Sequence, residues 1–296
     1  MGVKVGYGVV LLMVTVTIVV TGSDTPICPR TDPPANCSST EARQGETFFI
    51  VDGAELTINF LRGNYLQLFC SKKLNLESRS MPHFVQPTEF MRVSIDKCQT
   101  PTGSYDTVLK RLNVNVSNKV TLYVKDNQSF TSQHFAGLSV QTLEVHAPFS
   151  TQLLKTTDDF LTKLHNLTNL FLRNVALPTS TLMKLPRTLI ALNVYSDEAI
   201  NLHGDTFQRL DRLKYLRVND ERMTVTPNVS TSPSLQSVYL SASIAKLPSL
   251  RGLVNVTIVK ARDEYPVKVE ECDKLKHYSI SHSTLKVIPD EWLANC

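Results

Sequence analysis

From about residue 140 onward, apolar side chains return along the chain in a fixed rhythm. The spacing L-x-x-L-x-L, with conservative substitutes, stands at Leu167-Leu170-Leu172, Leu189-Leu192-Val194, Leu213-Leu216-Val218, Leu235-Val238-Leu240, Leu253-Val256-Ile258 and Leu275-Tyr278-Ile280. A less regular copy is Val140-Leu143-Val145. Successive first positions lie 27, 22, 24, 22, 18 and 22 residues apart. Side chains two apart on an extended strand point to the same side. The last two apolar positions of each unit therefore predict a short strand with one buried face, and the first closes the turn inward.

A period of roughly 20–29 residues with this spacing marks a leucine-rich repeat. One unit cannot bury its own apolar side, but stacked copies make a continuous core. The fold expected is an α/β solenoid: a leucine-rich-repeat horseshoe with a parallel concave β-sheet, an irregular convex side and a disulfide-stapled N-terminal cap. A generic α/β domain would instead alternate strands with full helices and loops of variable length. The second half of the unit is visible in Leu161-Leu164-Leu167 and Phe207-Leu210-Leu213, and Leu177-Pro178, Leu247-Pro248 and Ile288-Pro289 mark the bend to the convex side. The short interval from Leu235 to Leu253 predicts a turn with little or no convex helix. The turn after the strand usually carries an Asn that satisfies neighbouring backbone groups. Here that position is held by Asn127, Pro148, Val175, Asp197, Glu221, Ser243, Ala261 and Ser283, which predicts an irregular coil with backbone or water filling the gaps.

The apolar run Val9–Val20, preceded by Lys4 and followed by Thr21-Gly22-Ser23, has the form of a secretory signal peptide cleaved near Gly22 to Asp24. It is short of the ~20 residues that span a bilayer, and no later stretch suggests a membrane span. Three segments follow: 1–23 signal peptide, 24–110 cysteine-containing cap with a first degenerate repeat, and 111–296 about seven or eight repeats. Six cysteines suit an oxidising compartment. Four lie before residue 100, as expected if a cap needs staples and stacked repeats do not. Cys28–Cys37 and Cys70–Cys98 are the pairs expected. Cys272 and Cys296 occupy the same place in consecutive turns, where a disulfide and two buried thiols are both compatible with the spacing. N-x-S/T sequons at Asn36, Asn115, Asn166, Asn228 and Asn255 are candidate glycosylation sites; a sixth, Asn127, is expected to serve the ladder instead. The net charge of +4 is spread along the chain, with no basic stripe for nucleic acid.

Tyr65-x-Gln67-x-x-Cys70, then Met91-Arg92-Val93-x-x-x-Lys97-Cys98-x-x-Pro101, the Leu109 segment and the irregular first repeats resemble the N-terminus of insect Toll receptors. The likeness covers Cys28 to about Asn174; beyond that the match is to leucine-rich repeats in general. The family's transmembrane helix and cytoplasmic signalling domain have no counterpart here, and the chain stops at Cys296 in mid-repeat, so a fragment of a larger receptor is expected. The resemblance implies recognition of a Spätzle-like cystine-knot dimer through the concave face and cap, with a receptor homodimer as the signalling form in innate immunity or development. The alternative is a secreted leucine-rich-repeat immune adaptor or matrix protein without a receptor tail.

Outward positions of the strands offer Phe171, Arg173, Tyr195, Lys214, Tyr215, Arg217 and Tyr239 as ligand-binding residues, with His277 and His282 further along. Aromatic residues and Arg are over-represented at interaction hot spots. A glycan at Asn255 would block the C-terminal part of this face. No G-x-S-x-G, H-E-x-x-H or glycine-rich phosphate loop is present, so neither enzyme nor cofactor is expected. A Cys272/His277/His282/Cys296 metal set is disfavoured because the histidines project from the strand face and the cysteines lie behind it.

Overall fold

The computed structural model describes residues 45–71, 74–125, 129–147, 153–196, 207–220, 233–241, 252–259, 272 and 274–281. The expected signal peptide, the Cys28–Cys37 pair, and Asn36, Asn127, Asn228, His282 and Cys296 lie outside these residues.

The chain enters through two hairpins. Strand β1 (Gly45–Val51) pairs antiparallel with β2 (Ala54–Leu61), and β2 pairs antiparallel with β3 (Tyr65–Cys70). The first turn is Asp52-Gly53, both with positive φ (48° and 75°), the two-residue turn whose twist matches that of flanking strands. From β3 onward all pairing is parallel: β4 (Thr88–Asp96), β5 (Val114–Tyr123), β6 (Thr142–His146), β7 (Asn169–Arg173), β8 (Ala191–Ser196), β9 (Tyr215–Asp220), β10 (Ser237–Ser241), β11 (Asn255–Val259) and β12 (His277–Ser281). Among the described residues these twelve strands form one sheet in chain order. Parallel pairing thus starts inside the segment 24–110, where Val93 and Ile95 of β4 face inward beside Leu66 and Leu68 of β3.

The repeat explains why. Leu170, Leu192, Leu216, Val238 and Val256 are paired in register from strand to strand and all are buried, as are Leu172, Val194, Val218, Leu240 and Ile258. The leading leucines, Leu167, Leu189, Leu213, Leu235 and Leu253, are buried with them. Tyr278 and Ile280 of β12 are partly buried against the same core. Strand β5 hides its place in the rhythm, because Ser117 stands where the leading leucine would, yet Val120 and Leu122 are buried in register with Leu143 and Val145.

Behind the leucines lies an aromatic layer. Phe60, Phe84 and Phe90 meet at ring-centroid distances of 5.6–6.3 Å, and Tyr105, Phe130, Phe135 and Phe160 meet at 5.5–6.2 Å. Tyr105 is held by the convex helix α1 (Tyr105–Arg111). That helix is capped by Ser104, which accepts from the Thr107 N–H, and carries an Asp106–Lys110 ion pair of 2.6 Å. A second short helix, α2 (Thr179–Leu182), follows Pro178. At Val175, buried where an Asn ladder residue would sit, the backbone closes the gap: Leu154 N–H donates to Asn174 and Ala176 N–H to Leu154.

The cap is bonded covalently and by a carboxylate. Cys70, at the end of β3, is joined to Cys98, just after β4, across 28 residues. Glu77 accepts from Thr102 N–H, Thr102 Oγ1 and Gly103 N–H, at 2.8, 2.6 and 3.0 Å. Cys272 is buried and disulfide-bonded, which decides between the two states its spacing left open; its partner lies outside the described residues.

Replacing both Cys70 and Cys98 by Ala should lower unfolding free energy by about 3–4 kcal/mol from loop entropy alone. Leu192→Ala, at a fully buried site, should cost about 2–5 kcal/mol. Chemical denaturation of each variant against the parent checks both values.

Candidate functional site

Outward side chains of the parallel sheet fall into three rows, because strands in register place every second residue beside its equivalent about 4.8 Å away. The middle row reads Gln67, Ser94, Thr121, Glu144, Phe171, Asn193, Arg217 and Tyr239 from β3 to β10. The row toward the strand ends reads Phe69, Asp96, Tyr123, His146, Arg173, Tyr195 and Asn219 from β3 to β9.

Six of these residues form a continuous ladder across six strands. The Tyr123 and His146 rings stack at 4.7 Å with planes 13° apart. His146 meets Phe171 at 4.9 Å, and Phe171 meets Tyr195 at 5.0 Å. The Arg217 guanidinium then lies between two rings, 5.1 Å from the Tyr195 centroid and 4.2 Å from that of Tyr239. Offset ring pairs contribute roughly 0.5–1.5 kcal/mol each beyond burial, and cation–π contacts roughly 0.5–2 kcal/mol. Such contacts hold the side chains in place, so a partner would meet a preorganised aromatic strip with little rotamer entropy left to lose.

An acidic group underlies the start of the ladder. Glu144 forms an ion pair with Lys119 at 2.7 Å, accepts from Thr121 Oγ1 at 3.1 Å, and has His146 Nε2 at 3.7 Å. Burial alone would raise its carboxyl; His146, Lys119 and Thr121 outweigh burial and hold it down at about 2. Burial raises the Tyr123 and Tyr195 hydroxyls, the latter opposed by Arg217. Both phenols thus remain neutral hydrogen-bonding groups.

The structure joins four sequence-derived candidates in the ladder: Phe171, Tyr195, Arg217 and Tyr239. Arg173 lies beside them and acts electrostatically on Tyr123 and Tyr195. Tyr215 is 51 % exposed in the third row, away from the ladder, and Lys214 precedes β9 at its entry edge. His277 is exposed on β12, two strands beyond the last ring of the ladder, while Cys272 is buried. Among the described residues no group of three His, Cys, Asp or Glu could hold a metal ion. Asn255 opens β11 on the same concave side. Asn115 is exposed on β5, and Asn166 is exposed before β7 with its side chain donating to Ser139. Sequence reasoning missed Tyr123, His146 and Glu144. Their signal was present, since each alternates with inward Leu122, Val145 or Leu143 in the less regular early repeats.

No protein-family profile matches the sequence, and no curated protein matches it at the sequence level. Two similar solved structures are chains of the Toll–Spatzle complex, described as a molecular hub in Drosophila development and innate immunity. The glycosylated form superposes with a TM-score of 0.56 at 13 % identity, covering 82 % of this chain and 39 % of that one. The other form gives 0.54 at 12 % identity, over 80 % and 40 %. The likeness is one of fold. This chain spans about two fifths of the Toll chains it matches. Among the described residues no helix is long and apolar enough to cross a membrane.

The Glu144 contacts give a stability term with a defined pH window. Because its folded pKa is depressed to about 2, the term is fully present above its ordinary value near 4.5 and is lost as pH falls toward 2. Glu144→Gln should therefore destabilise the chain at pH 7, and the gap between variant and parent should close between about pH 4.5 and 2. Denaturation midpoints of both proteins across that range measure it.

Proposed function

We propose that this chain is the ligand-binding part of an extracellular Toll-type receptor that recognises a Spätzle-like cystine-knot dimer on the concave face of its solenoid. The observation that carries the reading is the ladder from Tyr123 to Tyr239: aromatic and Arg side chains, held by one another, on the face that leucine-rich-repeat folds offer to partners. Support for a receptor origin comes from the fold shared with Toll chains solved with Spatzle, from the signal-peptide pattern and from disulfide bonding. The work done is binding, which favours a receptor dimer, and no chemical step is involved. A glycan on Asn255 would close the concave face on the C-terminal side of Tyr239, leaving the ladder free.

Surface plasmon resonance with processed cystine-knot dimers tests this. Arg217→Ala should weaken binding by about 30-fold or more, the size expected of a central hot-spot residue. Tyr215→Ala, outside the ladder, should change it less than about threefold. Equal affinities for all three proteins, or no binding by well-folded chain, would overturn the receptor reading in favour of a secreted leucine-rich-repeat adaptor or matrix protein.

A further inference from the structure

The sequence holds no basic run, yet the stacking of turns assembles one. Lys163, Lys184 and Arg209 each stand immediately before a buried leucine on the way back to a strand, Leu164, Leu185 and Leu210. The strands that follow, β7, β8 and β9, pair in register, so the three cations hold equivalent places in consecutive turns. Arg187, Arg212 and Lys214 stand beside the next leucines, Leu189 and Leu213. All six side chains are exposed. They lie on the flank where each turn re-enters its strand, apart from the aromatic ladder.

Cross-turn hydrogen bonds hold this flank together. Thr188 Oγ1 donates to the Leu167 carbonyl at 2.6 Å, and Arg209 Nη1 donates to the Met183 carbonyl at 2.7 Å. The second bond lays the Arg209 guanidinium against the backbone next to Lys184, bringing cations of adjacent turns together. None of the six is in an ion pair with a described carboxylate. The acids of these turns are fewer and partly engaged. Asp158 accepts from Ser180 Oγ, and Asp159 accepts from Thr157 Oγ1 and Ser132 Oγ. Those two bonds hold the Asp159 carboxyl down, with a smaller pull from Lys184. Asp211 stands exposed between Arg209 and Arg212. A surface lined mainly by one sign of charge attracts the opposite sign.

We propose that this flank binds a sulfated polysaccharide laid along the solenoid axis, crossing the turns of β7, β8 and β9 and meeting a cation at each. Disulfide bonding fits an oxidising compartment, the setting in which sulfated polysaccharides occur. Single-stranded nucleic acid is held by rings on which bases stack, and membrane surfaces by apolar side chains that insert. Between Lys163 and Lys214 the described residues expose no large apolar side chain. The inference goes beyond the protein-binding reading of the concave face and does not depend on it.

The probe is a fluorescently labelled heparin octasaccharide, followed by anisotropy with the full chain. The parent should bind it, and the desulfated octasaccharide should not. Lys184→Gln/Arg209→Gln should weaken binding tenfold or more, whereas Lys184→Arg/Arg209→Lys should stay within about threefold. Lys163→Gln/Arg212→Gln, which removes no hydrogen bond seen here, should also weaken it, so the effect does not hang on the Met183 contact. Arg62→Ala/Lys125→Ala, which removes two exposed cations elsewhere, should stay within twofold. Salt should weaken binding steeply, since exposed charges are screened beyond a Debye length of about 8 Å at physiological ionic strength. No binding by the parent, equal binding by both flank variants, or an equal loss in Arg62→Ala/Lys125→Ala would overturn the proposal. Tighter, flank-dependent binding to phosphatidylserine vesicles or to single-stranded oligothymidine would overturn it in favour of that polyanion. Tyr195→Ala should bind the octasaccharide like the parent. Flank-dependent octasaccharide binding without any cystine-knot binding would overturn the receptor reading alone; the reverse pattern would overturn the polysaccharide site alone.

Discussion

Each strand from β4 to β12 is hydrogen-bonded in parallel to the strand before it, with one register shift between β4 and β5, and that single constraint shapes both faces of the sheet. Inward, it stacks leucine on leucine, so a unit with too little apolar surface to fold alone gains a neighbour on each side. Outward, it fixes side chains in rows at strand spacing, close enough for rings to stack. The ends of the stack lack a neighbour. At the N-terminus this is met by the β1–β2 hairpin, which buries Leu56, Ile58 and Phe60 against β3, and by the Cys70–Cys98 bond beside it.

The ladder follows from the same register. Phe171 sits one row away from His146 and Tyr195, so its ring reaches both diagonally, whereas Arg217 and Tyr239 lie directly opposite each other. Rings and guanidinium that are already packed resist collapse into other rotamers. Charge is mixed along this strip: Glu144 is ion-paired with Lys119 at the β5–β6 end, and Arg173 and Arg217 lie at the β7–β9 end.

Much of the solenoid was legible because the leucine spacing is a direct consequence of stacking: Leu167 to Ile258 fall inward as their periodicity requires. The early turns were harder to read. Strand β5 lacks a leading leucine, its pairing with β4 shifts register between Phe90 and Arg92, and a ten-residue strand there replaces the usual short one. The β1–β2 hairpin, announced only by Asp52-Gly53, gave no repeat signal at all. Outward residues are free of the periodic constraint, so Tyr195, Arg217 and Tyr239 could be named as concave, but their mutual contacts could not. Contacts such as Tyr123–His146 depend on which turns are adjacent, and that became visible only once β5 and β6 were aligned.

Hydroxyl-radical footprinting with a cystine-knot dimer tests the central claim, that the ladder is the binding face, most directly. The account predicts that oxidation of Tyr123, Phe171, Tyr195 and Tyr239 falls together when the dimer is added, while exposed Val85 and Tyr215 change little. Unchanged oxidation of the four ladder rings in a complex shown to have formed, with protection elsewhere on the chain, would contradict it.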